Sequence, residues 1–127
     1  MTPKLPWMIL IPGAPRTKKN HGRRTRSGKQ IPSAAFEEWN KAAQTHFMLW
    51  RMSAGNPGPL AVALNCSAWF YREKDIGDAV GYYQALADAL QEARIVVDDR
   101  LIVSWDGSRM KKDARSPRIE VTLTETA

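Results

Sequence analysis

The sequence contains one cysteine and two histidines among 127 residues, so it has few groups for cross-links or metal clips. A single thiol cannot form an internal disulfide, and these ligands are too few for a typical structural zinc site. Cys66 lies in an apolar, strand-like segment, which predicts a buried, reduced thiol in a cytoplasmic protein. No apolar run is long enough to cross a membrane or to resemble a secretory signal, so we expect neither.

No acidic residue occurs before Glu37, which is the first of 13 along the chain. This acid-free part contains a basic loop, residues 14–30, and the formal net charge of the chain is +6. A basic segment gains affinity for phosphates by releasing counterions, which favours nucleic-acid binding. A solvated loop that keeps the protein soluble is the alternative. The cations of the loop are Arg16, Lys18, Lys19, Arg23, Arg24, Arg26 and Lys29.

Several motifs of well-known enzymes are also missing. The sequence lacks a P-loop, a dinucleotide-binding glycine fingerprint, a GxSxG nucleophile motif and an HExxH zinc motif. Nucleotide hydrolysis at a Walker site and serine or zinc hydrolysis therefore have no support. We expect no organic cofactor.

Two segments show helical periodicity. Ser33 is the predicted N-cap of the first helix, and apolar residues at helical spacing predict a buried stripe of Phe36, Trp39, Ala43, Phe47 and Trp50. The second helix is predicted over residues 79–93. We expect it to bury Val80, Tyr83, Ala87 and Leu90, and to carry a polar stripe of Gln84, Asp88 and Gln91.

The remaining apolar segments predict strands at residues 5–12, 60–71, 101–105 and 118–124. Combined with the helices, they give the order β-α-β-α-β-β and an α/β fold. A strand-helix-strand unit favours a parallel pair, and the last two strands suit an antiparallel hairpin. We therefore predict a mixed sheet with two helices packed on it, in a single domain over residues 1–127.

Acidic residues are concentrated late in this basic chain, with nine of the 13 between Glu73 and Asp113. Each has a possible structural role, since Asp78 suits a helix N-cap and Asp98 with Asp99 suits a turn. The segment after the second helix is long enough to extend back along it, so Asp99 can return towards Asp78, within one subunit or across a dimer. Such carboxylates suit Mg²⁺ or Mn²⁺, which support phosphodiester hydrolysis.

These motifs resemble the RusA-type Holliday junction resolvases of phages and prophages. Residues 11–20 are similar to that family's N-terminal strand and loop. Residues 78–99 resemble its Asp-x-Asp-Asn-x-x-Lys, Asp-Ala-Leu and Asp-Asp pattern, with the spacing kept without a gap. The resemblance implies a homodimeric, Mg²⁺-dependent endonuclease that nicks four-way DNA junctions in pairs. It assigns catalytic positions to Asp78 and Asp99, whereas the family's Asp, Asn and Lys are replaced by Val80, Gly81 and Gln84.

The first hypothesis is a nuclease that acts on branched DNA. Asp78 and Asp99 are its predicted catalytic metal ligands, for Mg²⁺ or Mn²⁺, and Asp75 and Asp98 are predicted to assist. The predicted nucleic-acid contacts are Arg16, Lys18, Lys19, Asn20, Arg23, Arg24, Arg26, Lys74, Lys111 and Lys112. A non-catalytic module that binds branched DNA or RNA on the same fold is the second hypothesis, and a protein that binds an acidic protein partner is the third.

Overall fold

The computed structural model describes residues 4–18, 23–24, 30–31 and 33–126. In these residues the elements are β1 (Trp7–Pro12), β2 (Arg23–Arg24), β3 (Gln30–Ile31), α1 (Ala34–Ser53), β4 (Leu64–Arg72), α2 (Ala79–Glu92), β5 (Ile102–Ser104), β6 (Arg109–Lys112) and β7 (Arg118–Glu125). A 3₁₀ turn, Asp99–Leu101, lies between α2 and β5. The predicted α/β class, with two helices and a mixed sheet, is confirmed.

The last strand of the main sheet has different neighbours from the expected ones. The order is β1-β7-β4-β5, and β6 pairs with a further part of β4. Strand β7 is antiparallel to both β1 and β4, whereas β5 and β6 are parallel to β4. The predicted hairpin of the last two strands is therefore wrong. Strand β7 is long and carries three core residues (Ile119, Val121 and Leu123), which suits a central position, whereas short strands with exposed residues such as β5 and β6 are tolerated at an edge.

Helix α1 agrees with its sequence pattern. The Ser33 hydroxyl accepts a hydrogen bond from the Phe36 N–H at 3.1 Å, which caps the first turn. The indole N–H of Trp50 donates to the carbonyl of Met8 at 2.9 Å and so covers part of the β1 edge. The helix buries Phe36, Trp39, Ala43 and Phe47 against the sheet, and Trp50 packs partly buried beside them.

Strand β4 is shorter than predicted because its expected first residues pair elsewhere. Leu60 exchanges hydrogen bonds with the backbone of Ile95 and Val97, beyond α2, and the regular strand starts at Leu64. Val62, which was expected to point inward, is exposed. From Leu64 onward the predicted alternation is confirmed, and the residues that face the core are Leu64, Cys66, Ala68 and Phe70.

Helix α2 begins as predicted but buries a different face. Of the expected stripe only Leu90 is buried, while Val80 is 64% exposed and Tyr83 and Ala87 are half-buried. Helix α2 is apolar on most sides, so two different sets of apolar residues at helical spacing could face the core. The stripe that faces the sheet combines the Tyr82 ring with small residues that allow close approach, and consists of Tyr82, Ala85, Leu86, Ala89 and Leu90.

The lone thiol lies in this core. Cys66 is buried and unpaired, as predicted, and burial raises its pKa to about 12. Across the residues that the structure describes, no helix is long and apolar enough to span a bilayer.

Candidate active site

A cavity of about 560 Å³ lies along the exposed face of α2. It is bounded by the loop that follows β1, by residues 80–88 of α2 and by the segment from the 3₁₀ turn to Trp105, just after β5. The lining residues are Thr17, Lys18, Val80, Gly81, Tyr83, Gln84, Ala87, Asp88, Asp99, Ile102 and Trp105. The face of α2 that the sequence pattern assigned to the core therefore forms a wall of this cavity.

The polar stripe of α2 meets the segment that carries Asp99. The side-chain oxygen of Gln91 accepts a hydrogen bond from the Asp99 N–H at 2.7 Å. Asp98 caps the 3₁₀ turn, because its carboxylate accepts from the Arg100 N–H at 2.9 Å. Asp99 is thereby fixed beside Asp88, one helical turn before Gln91. This placement explains why the sequence has Asp-Asp here, with one residue as a cap and the next directed at α2.

The electrostatics of Asp99 differ from those of its neighbour. Burial raises the pKa of Asp99, and hydrogen bonding with Asp98 and repulsion by Asp88 and Asp98 raise it further. The pKa of Asp98 is lowered, first by the hydrogen bond from the Arg100 backbone and then by the Arg100 guanidinium. Asp88 and Asp99 thus form a close pair of carboxyl groups whose charges repel.

A cation reaches this pair from the loop after β1. The ammonium Nζ of Lys18 lies 2.6 Å from Oδ2 of Asp88 and 5.6 Å from the centre of the Phe36 ring. The preceding residue, Thr17, is buried against Gly81 on the first turn of α2. A Cβ atom at Gly81 would lie 3.3 Å from Cγ2 of Thr17, so glycine allows the loop to approach the helix.

Asp78 lies at the beginning of α2 and is its N-cap. Its Oδ1 atom accepts a hydrogen bond from the Gly81 N–H at 2.7 Å. No hydrogen bond joins Asp78 to Asp99 in the described structure; Asp99 meets α2 near Asp88, which is about 15 Å along the helix axis from Asp78 at 1.5 Å per residue. The role of Asp78 as a metal ligand stays a prediction.

Asp75 belongs to a segment that leads from β4 into α2. Its carboxylate accepts from Arg72 at 3.3 Å, and the same guanidinium donates to the carbonyls of Ile76 and Gly77. The Tyr82 hydroxyl also donates to Ile76, at 2.8 Å. These contacts order the segment that precedes α2 and place Asp78 at the start of the helix. The contacts of Asp75 therefore support a structural role for this residue.

The predicted phosphate contacts are distributed unevenly. Arg16 forms an ion pair with Glu73 at 2.8 Å, and the Lys111 ammonium lies 5.2 Å from the Trp69 ring centre. Lys74 and Lys112 are exposed. The backbone of Arg23 and Arg24 forms β2, which pairs with β3, but their side chains lie outside what the structure describes, as do the residues Lys19, Asn20 and Arg26.

One wall of the cavity is aromatic. The rings of Tyr83 and Trp105 stack with centroids 4.5 Å apart and planes at 5°. The sequence pattern placed Tyr83 in the core and did not use Trp105, because the bend that brings residue 105 to α2 is a tertiary feature. Asp88 was also left outside the predicted site, although its position four residues after Gln84 on the polar stripe was a usable signal.

Two carboxylates of the cavity fit a divalent cation. Within the described ranges, no three His, Cys, Asp or Glu side chains converge as a set that could hold a metal ion. Mg²⁺, however, commonly binds through one or two carboxylates, waters and substrate phosphate. Asp88 and Asp99 supply two such groups. A cation between them would offset the repulsion that, in addition to burial, raises the pKa of Asp99.

Comparison with known proteins gives one clear finding. The family model described as Endodeoxyribonuclease RusA matches residues 12–124, which is most of the chain. The match includes the loop that carries Lys18, all of α2, and the turn that carries Asp99. A search of the curated proteins finds no match.

Proposed function

The chain belongs to the RusA endodeoxyribonuclease family, and we propose that it cleaves four-way DNA junctions by Mg²⁺-dependent hydrolysis of a phosphodiester. The observation that carries this proposal is a single cavity lined by Asp88, Asp99 and Lys18, in which the Lys18 ammonium contacts Asp88. Carboxylates bind the cation that phosphodiester hydrolysis uses, and an ammonium binds phosphate oxygens. The cavity therefore offers groups for both the cation and the substrate.

Asp99 and Asp88 would hold the Mg²⁺ ion, and Mn²⁺ would be a substitute. A bound ion of this kind lowers the pKa of a water and offsets negative charge at the phosphate. The family resemblance also predicts Asp78 as a ligand, but Asp78 lies about 15 Å along α2 from Asp88 and so would not share one ion with it. Val80 and Gln84 also line the cavity, which suggests that the positions of the altered residues belong to the same site.

The chain's own side chains prepare the site. Gln91 accepts from the Asp99 backbone and so orients that residue towards Asp88. The stacked rings of Tyr83 and Trp105 form an apolar wall that restricts water on one side. The nucleophile would be water, so the proposed reaction has no covalent enzyme intermediate.

DNA would be held by the cations of the molecule. Arg16, Lys74, Lys111 and Lys112, together with the basic loop, would contact backbone phosphates and give a salt-sensitive affinity. We also propose a homodimer, because nicking a four-way junction in pairs requires two sites and a twofold dimer supplies them.

A second candidate function is branched-DNA binding without cleavage. It is favoured by the neutral side chains of Val80 and Gln84 in the cavity, which supply neither a metal ligand nor a cation. This alternative predicts tight junction binding with no nicking at any concentration of Mg²⁺ or Mn²⁺. Val80→Asp combined with Gln84→Lys would then create activity.

The proposed function is tested by incubating a labelled four-way junction with the protein and Mg²⁺ or Mn²⁺. Asp88→Asn and Asp99→Asn should each lower the cleavage rate by about 100-fold or more, because each removes a charged ligand at the reacting centre. Glu38→Gln changes an exposed carboxylate on α1, outside the cavity, and should cleave normally. Equal cleavage by wild type, Asp88→Asn and Asp99→Asn would show that the assignment is wrong.

Asp78 needs a separate test because it caps α2. Asparagine is as good an N-cap as aspartate, so Asp78→Asn should leave the free energy of unfolding within about 0.5 kcal/mol of wild type. A large loss of cleavage at unchanged stability would support a role as ligand. Unchanged cleavage would leave Asp78 with the capping role alone.

A further inference from the structure

Lys18 is the cation of the cavity, and its position is more specific than a general phosphate contact requires. Among the described residues that line the cavity, it is the one with a positive charge. Its ammonium lies 2.6 Å from Oδ2 of Asp88, inside the group of residues that also contains Asp99. Arg16, two residues earlier, is directed instead to Glu73.

The residue before Lys18 is packed against α2, whereas the Lys18 side chain is partly exposed. Thr17 is only 4% exposed and packs on α2 at Gly81, and the next residue, Lys18, lines the cavity. The Phe36 ring lies beside the ammonium, at 5.6 Å. The side chains of Lys18 and Asp88 are 43% and 42% exposed, and an exposed ion pair contributes little free energy. The ammonium can therefore leave Asp88 at small cost.

We propose that Lys18 is a catalytic residue of this nuclease, and that its ammonium contacts a non-bridging oxygen of the scissile phosphate. This inference rests on the proposed function. In the reaction, a water oxygen bonds to phosphorus and the bond from phosphorus to the leaving sugar oxygen breaks. The water proton ends on that sugar oxygen through solvent, and Lys18 forms no covalent bond. Its charge offsets the negative charge that develops on the phosphate oxygens in the transition state.

The experiment separates catalysis from DNA binding. Single-turnover cleavage of a four-way junction in Mg²⁺ gives the rate, and fluorescence anisotropy with the same junction in EDTA gives the affinity. Lys18→Met should lower the rate by about 100-fold, as expected for loss of one charge-stabilising group. The affinity should change by less than about threefold, because many cations share the phosphate contacts.

Two variants serve as controls for charge and for position. Lys18→Arg keeps the charge and should cleave at least about tenfold faster than Lys18→Met. Lys41→Met removes an exposed lysine on α1, away from the cavity, and should retain the wild-type rate and affinity. Circular dichroism and thermal melting of all variants check that they fold.

Moving the charge within the cavity gives the sharpest result. Gln84 lines the same cavity, one helical turn before Asp88. Lys18→Met combined with Gln84→Lys should recover at least about tenfold of the lost rate. Wild-type cleavage by Lys18→Met, or a loss of affinity as large as the loss of rate, would overturn this inference alone. No cleavage by the wild-type protein itself would overturn the proposed function as well.

Discussion

Gly81→Ala tests how α2 and the loop after β1 depend on each other. Gly81 lies in the first turn of α2, where alanine is normally the better helix former. A Cβ atom at this position would lie 2.9 Å from Oδ1 of Asp78 and 3.3 Å from Cγ2 of Thr17. The first contact is with the oxygen that caps the helix, and the second is with a buried side chain that positions Lys18. The substitution therefore sets local helix propensity against tertiary packing.

The magnitudes favour packing. Replacing glycine by alanine within a helix gains about 1 kcal/mol of stability. Weakening the Asp78 cap costs about 1 kcal/mol, and overpacking against a buried side chain costs about 1–3 kcal/mol. We expect a net loss of about 2 kcal/mol in the free energy of unfolding, and a fall in Tm of about 8 °C for a domain of this size. Cleavage should fall as well, because the loop that carries Lys18 is displaced.

Urea denaturation of the wild type and four variants measures this effect. Gly58→Ala is the matched control, since no atom lies within 4 Å of its added Cβ, and its stability should stay within about 0.5 kcal/mol of wild type. Thr17→Ser removes the methyl group that Gly81→Ala meets, so the double variant should recover about 1 kcal/mol relative to additivity. A Gly81→Ala protein that is about 1 kcal/mol more stable than wild type would refute the reasoning, because propensity alone would then act.

Three further predictions concern the core, the acidic pair and the thiol. Leu86→Ala should lower the free energy of unfolding in urea by about 2–5 kcal/mol, because Leu86 is fully buried. Val80→Ala should lower it by less than about 0.5 kcal/mol, because Val80 is exposed. Similar losses for both variants would contradict the assignment of the Val80 face to solvent. The pKa of Asp99 is raised on folding, so its protonated form stabilises the fold at low pH, and that contribution is lost as pH rises through the folded pKa. The free energy of unfolding of Asp99→Asn relative to wild type should therefore increase as the pH rises from about 4 to about 7. A difference in stability that stays constant across that range would contradict the raised pKa. Cys66, with its pKa raised to about 12 by burial, should react with a thiol reagent only in denaturant, and rapid labelling of the native protein would contradict its burial.

Features governed by local rules could be predicted from the sequence. Ser33 and Asp78 are N-caps in the structure because short polar side chains satisfy free N–H groups at helix starts, wherever the helix lies. The inward residues of β4 from Leu64 onward and the stripe of α1 follow from alternation and from helical period. The family was likewise readable from motifs at fixed spacing, and the match over residues 12–124 confirms it.

Features that depend on contacts between distant segments could not be predicted in this way. The face of α2 was misassigned because both of its apolar stripes satisfy the same period. Tyr82 and Tyr83 both contact the Phe70 ring, with centroids 5.4 and 5.9 Å apart, and it is tertiary packing that buries Leu86 and leaves Val80 exposed. Asp88 was not selected because, within the sequence, an acid on a polar stripe is usually solvated. Its significance depends on Asp99 and Lys18, which come from other segments.

The sequence by itself determined both helices and their caps, the long strands β1, β4 and β7, the basic character of the chain and the family, since each depends on neighbours in the chain or on composition. The tertiary structure decided that β7 lies between β1 and β4, that α2 turns its Val80 face to solvent, and that Asp88, Asp99 and Lys18 share one cavity. The physical reason is that burial and electrostatic repulsion act through space. A carboxyl group acquires a raised pKa, and an ammonium acquires a partner, only when the fold brings them within a few ångströms.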